Sequence, residues 1–168
     1  MTDTPTTVQK EDLVITRILD APLEMVWKAW TDPKQVMHWW GPKYYVSPTC
    51  KIDLREGGKF IFCMRAPKDQ GGQDSYTTGV YKKIFPMERL EFTQSLSDKD
   101  GNKIDPAQAG MPPDFPKEMH MVIGFKAKGN MTELTITVYG FTAGQMYVYA
   151  LAGWHQSIDK LAEYLAKA

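Results

Sequence analysis

The stretch that decides the fold is residues 13–42, LVITRILDAPLEMVWKAWTDPKQVMHWWGP. Its opening LVITRIL is rich in branched side chains and reads as a strand. Asp20, Ala21 and Pro22 stop that strand and open a helix with proline in its first turn. Val26, Trp27 and Trp30 follow at helical spacing. Thr31, Asp32 and Pro33 repeat the stop-and-start signal before a second short helix carrying Val36, Met37, Trp39 and Trp40, which Gly41 and Pro42 end. The expectation is one strand followed by two short helices.

Downstream the pattern changes to strands, predicted over 44–54, 59–65, 76–85, 89–97, 118–127 and 132–139. Glu56-Gly57-Gly58, residues 69–72, Pro86-Met87-Glu88 and Lys128-Gly129-Asn130 are turns short enough to join antiparallel neighbours. Residues 98–117 are too long for a plain hairpin and hold Gly101, Gly110 and four prolines (Pro106, Pro112, Pro113 and Pro116). That segment reads as a lid or as a surface excursion. Over 143–168, Tyr147, Leu151, Trp154, Ile158, Leu161 and Leu165 recur at steps of four and three, a single apolar stripe on a helix roughly 35 Å long. Such a helix spans the face of a curved antiparallel sheet. Side chains often cannot fill the space between the two, which leaves an apolar cavity.

The chain has 168 residues, 20 Lys+Arg against 20 Asp+Glu, and a hydrophobic fraction of 43%. This is enough for one domain with its own core, expected over 11–168 behind a flexible tail at 1–10. The balanced charge argues against nucleic acid and anionic membranes as partners. No apolar run approaches the ~20 residues needed to span a bilayer. The start of the chain lacks the basic and apolar regions of a secretory signal. Cys50 and Cys63 form no CxxC and read as reduced core thiols, which points to the cytoplasm.

Several short motifs, in order along nearly the whole chain, resemble one family. They are Ala21-Pro22 with Glu24, Val26 and Trp27; residues 29–33, AWTDP; Trp39-Trp40-Gly41-Pro42; Asp53-Leu54-Arg55 with Gly57-Gly58; and Met64-Arg65 with Pro67. Further on come Pro86 with Glu88-Arg89-Leu90, Gly110-Met111-Pro112, Thr132 with Leu134-Thr135, and Gly153-Trp154 with Gln156-Ser157 and Asp159-Lys160-Leu161. The chain resembles the START-like (SRPBCC, Bet v 1-like) superfamily, in the branch named for the activator of Hsp-90 ATPase. The resemblance implies an α+β helix-grip fold: a curved antiparallel sheet of about six or seven strands wrapped on a long C-terminal helix, with two short helices after strand one. It also implies a cavity for a small hydrophobic ligand, on a fold that hosts lipid carriers, cyclases, aromatases and co-chaperone domains. The additional N-terminal domain of the full-length co-chaperone is not expected here, which argues against a chaperone partner. A homodimer is left open.

Strand parity puts Phe60, Phe62 and Met64 on one face and Ile61, Cys63 and Arg65 on the other. Aromatic and methionine side chains suit an adaptable apolar pocket and suit an ordinary core equally. The candidate ligand-binding set is Phe60, Phe62, Met64, Tyr81, Phe92, Met121, Ile123 and Phe125 on strands. Met146 and Trp154 join it from the long helix, and Trp39 and Trp40 from the cavity mouth. Trp154 is expected to pack on the sheet; the alternative for Trp39 and Trp40 is that one of them staples its helix to the sheet.

His38, His120 and His155 lack metal-ligand spacing, and no GxSxG, Walker or GxGxxG motif is present. No metal, cofactor or catalytic residue is therefore assigned. Arg65, Glu118, His120 and Tyr81 are the polar strand residues able to serve acid–base chemistry or anchor an anion if they face the cavity. Parity turns His120 outward, and Arg65 has the alternative of pairing with a nearby carboxylate. The leading expectation is binding of a small hydrophobic or aromatic molecule. A cyclase-, aromatase- or hydrolase-like enzyme using the same cavity and a co-chaperone-type interaction module are the alternatives.

Overall fold

The computed structural model describes residues 9–168. The expected tail falls mostly outside the described residues, though Lys10 already pairs with Thr142. The elements are β1 (Lys10–Leu19), α1 (Leu23–Thr31), α2 (Pro33–Val36), β2 (Cys50–Ile52), β3 (Lys59–Arg65), β4 (Asp74–Phe85), β5 (Arg89–Ser97), β6 (Met119–Lys128), β7 (Met131–Thr142) and α3 (Gln145–Lys167). The seven strands form one antiparallel sheet in the order β1-β7-β6-β5-β4-β3-β2. Each strand after β2 pairs with its predecessor, and β1 closes against the last strand. This is the helix-grip α+β architecture, with α3 across the inner face.

The side chains explain the register. On β3, Phe60 and Phe62 are buried; on β5, Leu90 and Phe92; on β6, Met121 and Ile123; on β7, Leu134, Ile136 and Val138. Each set has the period of two that puts one strand face inward. Gly79 on β4 admits this packing: a Cβ there would collide with the Thr93 carbonyl and the Phe60 ring.

Two elements are shorter than the sequence predicts. The 44–54 strand is reduced to β2 plus an isolated bridge between Val46 and Arg65. Pro48 has no N–H to give the ladder, and Ser47 turns its hydroxyl to the Cys63 carbonyl at 2.6 Å. The second helix stops at Val36, and Trp39 and Trp40 stand in the turn after it. α2 is started by Asp32, whose side chain accepts from the Lys34 N–H at 3.0 Å. The helical turns after it end at Gly41, whose φ is +100°, and Pro42, which has no N–H to donate.

Candidate functional site

α3 is anchored by its C-terminal half. Ser157, Ile158, Leu161 and Leu165 are buried, whereas Tyr147, Leu151 and Trp154 are only partly so. The N-terminal half of the helix thus stands off the sheet, and the gap is a cleft of about 520 Å³. Trp40, Phe62, Met64, Trp154, Met111, Phe115, Phe141 and Met146 are its large apolar lining. A smaller chamber of about 140 Å³ adjoins it, lined by Leu13, Met119, Met121 and Val138. Gln94, Phe115, Phe141, Ala150 and Trp154 border both spaces.

The aromatic wall is interlocked. Trp40 meets Phe62 at 4.5 Å between ring centroids and Trp154 edge-on at 5.6 Å. Trp154 in turn stacks on Trp30 at 6.3 Å. The turn carrying Trp40 is clamped to α3. Ser157 accepts from the Gly41 N–H and donates to the Trp39 carbonyl, both at 3.2 Å. Gln156 accepts from the Lys43 N–H at 3.1 Å. Lys160 reaches the carbonyls of Gly41 at 3.0 Å, Pro42 at 3.2 Å and Tyr45 at 2.9 Å, with Trp40 at 3.4 Å. Burial draws its ammonium below the ordinary lysine value. The motif at 39–42 and the motif at 153–161 are therefore two halves of one contact.

The 98–117 segment contributes Met111 and Phe115 to the lining. Phe115 meets Phe141 edge-on at 6.3 Å, and the Thr142 hydroxyl donates to the Asp114 carbonyl at 2.7 Å. A reciprocal cap between Asp105 and Gln108 and an ion pair between Lys103 and Glu118 at 2.7 Å organise the rest of the segment.

Of the twelve side chains singled out from the sequence, Trp40, Phe62, Met64, Met146 and Trp154 line the cleft, and Met121 lines the chamber. The other six lie in the packed core. Trp39 is fully buried, its indole N–H donating to the Ala29 carbonyl at 3.0 Å. Phe60, Tyr81 and Phe92 pack on one another at 5.3 to 6.0 Å. Phe125 lies against Trp27 and Trp30 of α1, and Ile123 is fully buried beside it on β6.

None of the four polar strand candidates lines the cleft. Arg65 pairs with Asp74 at 2.7 Å, Glu118 with Lys103, and His120 is exposed beside Tyr139. Tyr81 is buried among apolar side chains, which raises its hydroxyl pKa. Among the described residues, no charged side chain lines either space. The polar residues that do are Ser75, Thr77, Gln94 and Ser157, with Tyr45 and Tyr149. Strand alternation carried the signal for three of these: Ser75 and Thr77 share the parity of Tyr81, and Gln94 that of Phe92. Met111 and Phe115 lie in an irregular segment, where no periodicity reveals a facing direction, and Phe141 lies on β7 beyond a register shift against β1 that breaks the alternation. Among the described residues, no three His, Cys, Asp or Glu side chains are grouped to hold a metal ion, and no helix is long and apolar enough to cross a membrane.

The model of a family described as Activator of Hsp90 ATPase homolog 1-like protein matches residues 20–166. A crystal structure of a protein from Nitrosomonas europaea is 26% identical, with a TM-score of 0.73, covering 93% of this chain and 94% of that one. One from Chromobacterium violaceum is 25% identical, with a TM-score of 0.72, covering 92% and 96%. The AHSA1 protein of Silicibacter pomeroyi, 22% identical over 93% of this chain and 98% of its own, shares the fold at a TM-score of 0.71. No curated protein matches.

Proposed function

Because the chain belongs to the Activator of Hsp90 ATPase homolog 1-like family, on a START-like fold that commonly binds hydrophobic ligands, we propose that it binds a small hydrophobic or aromatic molecule between the sheet and α3. The observation that carries this reading is the cleft of about 520 Å³, walled by Trp, Phe and Met side chains and free of charged ones. Its size is that of small-molecule sites, and burial of apolar surface supplies the affinity. The enzymatic alternative needs an acid or base facing the ligand, and Arg65, Glu118, His120 and Tyr81 are all turned to other partners. The reading includes a cytoplasmic location, in keeping with two free thiols.

The test is titration with N-phenyl-1-naphthylamine, a neutral probe that brightens in apolar surroundings. Saturable binding of one probe per chain is expected. Ala150→Trp, which puts an indole into the space Ala150 borders, should weaken it at least about tenfold with little change in melting temperature. No brightening, or equal binding by Ala150→Trp, contradicts the reading.

A further inference from the structure

Of the polar residues that line the cleft, two carry a buried atom without a hydrogen-bond partner. Gln94 is 8% exposed and borders both the cleft and the inner chamber. Its side-chain oxygen Oε1 has no hydrogen-bond partner, and neither has Oγ1 of Thr77, which also lines the cleft. Thr77 lies opposite Leu96 in the β4–β5 register, so Gln94, two residues before Leu96 on the same face, is its diagonal neighbour. Buried polar atoms are almost always paired, because an unpaired one forfeits its hydration with no return. Two unpaired buried atoms on one face of the sheet, both in residues that line the cleft, mark the position of a missing partner.

The chemistry of that partner follows from the two groups. A carboxylate or ammonium would be desolvated with no counter-charge, since no charged side chain among the described residues lines the cleft. A carbonyl can only accept, so it serves Gln94 in just one of the two orientations of its amide. A hydroxyl both donates and accepts, so it serves Gln94 in either orientation of the amide and Thr77 as well. Resting on the binding function proposed above, we infer that the ligand is an uncharged alcohol or phenol, its hydroxyl bound by Gln94 and Thr77 and its apolar body lying between Phe62, Met64 and Trp154.

The experiment compares 2-naphthol with 2-methylnaphthalene, which differ only by hydroxyl against methyl, at pH 7. Binding is read from quenching of the tryptophans in the cleft wall. Gln94→Leu should lower 2-naphthol affinity about fivefold, and Thr77→Val about two- to threefold, while neither lowers the affinity for 2-methylnaphthalene. Melting temperatures of both variants should stay at or above the parent's, since each change removes an unpaired buried polar atom. If both variants change the two affinities by the same factor, the hydroxyl assignment is overturned and the apolar cleft stands. If the parent protein binds neither compound, the binding function fails and this assignment falls with it.

Discussion

Cys50 lies opposite Phe62 in the β2–β3 register, so Cys63, one residue further along β3, faces away from it. The two sulfurs therefore sit on different faces of the sheet, and both cysteines are free. Burial pushes the Cys50 thiol up to about 12 and raises that of Cys63 as well. At pH 8 the Cys50 thiolate is then roughly a thousandfold scarcer than that of an ordinary thiol. Native protein should accordingly react slowly with a thiol reagent at pH 8, and both cysteines should be released at once in denaturant. Prompt reaction of Cys50 in the native state would contradict its burial. The linkage has a definite sign: above about pH 9 the unfolded chain loses the proton that native Cys50 keeps, so stability falls as pH rises from about 9 toward 12.

Single residues also set the limit of what the sequence could say. Parity along β3 identified Phe62 and Met64 correctly as inward-facing, yet inward includes both core and cleft. Phe60 and Phe62 have the same parity, the same chemistry and stacked rings 4.5 Å apart; only Phe62 reaches the cleft. Trp39 and Trp40 divide in the same way. One staples its turn to α1 through Ala29 and the other walls the cleft. What separates such neighbours is which side chains pack in front of them, a tertiary matter with no local pattern.

At the scale of elements, α3 is the informative case. Its stripe was legible as one continuous apolar face, because steps of three and four are fixed by helix geometry. Its lift from the sheet was not, because the stripe is equally apolar on both halves. The lift comes from asymmetric anchoring: Ser157 and Lys160 lock the C-terminal half to the Trp40 turn. Among the described residues nothing comparable holds the N-terminal half, whose Val148 and Tyr149 are 56% and 65% exposed. Lys160→Met keeps the alkyl stem and removes the donor from four carbonyls. It should lower unfolding stability by about 2 kcal/mol in urea titration and weaken N-phenyl-1-naphthylamine binding by loosening Trp40. Unchanged stability would show that water replaces the ammonium at no cost, and the clamp would not be what seats Trp40.

On the scale of the whole molecule, topology makes the cleft. β1 pairs with β7, so the chain's first strand and last hairpin bracket one end of the sheet, while β2 is left as the other edge. The helix after β7 must cross back over the inner face and is caught by the turn that follows α2. Order and type of the elements were readable because each is announced by its own period and stop signals. The role of 98–117 was not, since its wall residues Met111 and Phe115 stand among prolines and turns.

The ten methionines offer a direct test of the central claim, because they sample both cleft and surface. In methyl-labelled methionine NMR spectra titrated with 2-methylnaphthalene, Met64, Met111 and Met146, which line the cleft, should shift most. Met121, in the inner chamber, should follow, and the exposed Met37 and Met131 should stay in place. Shifts confined to Met37 and Met131, or none at any methionine up to the solubility of the compound, would contradict a ligand site between the sheet and α3.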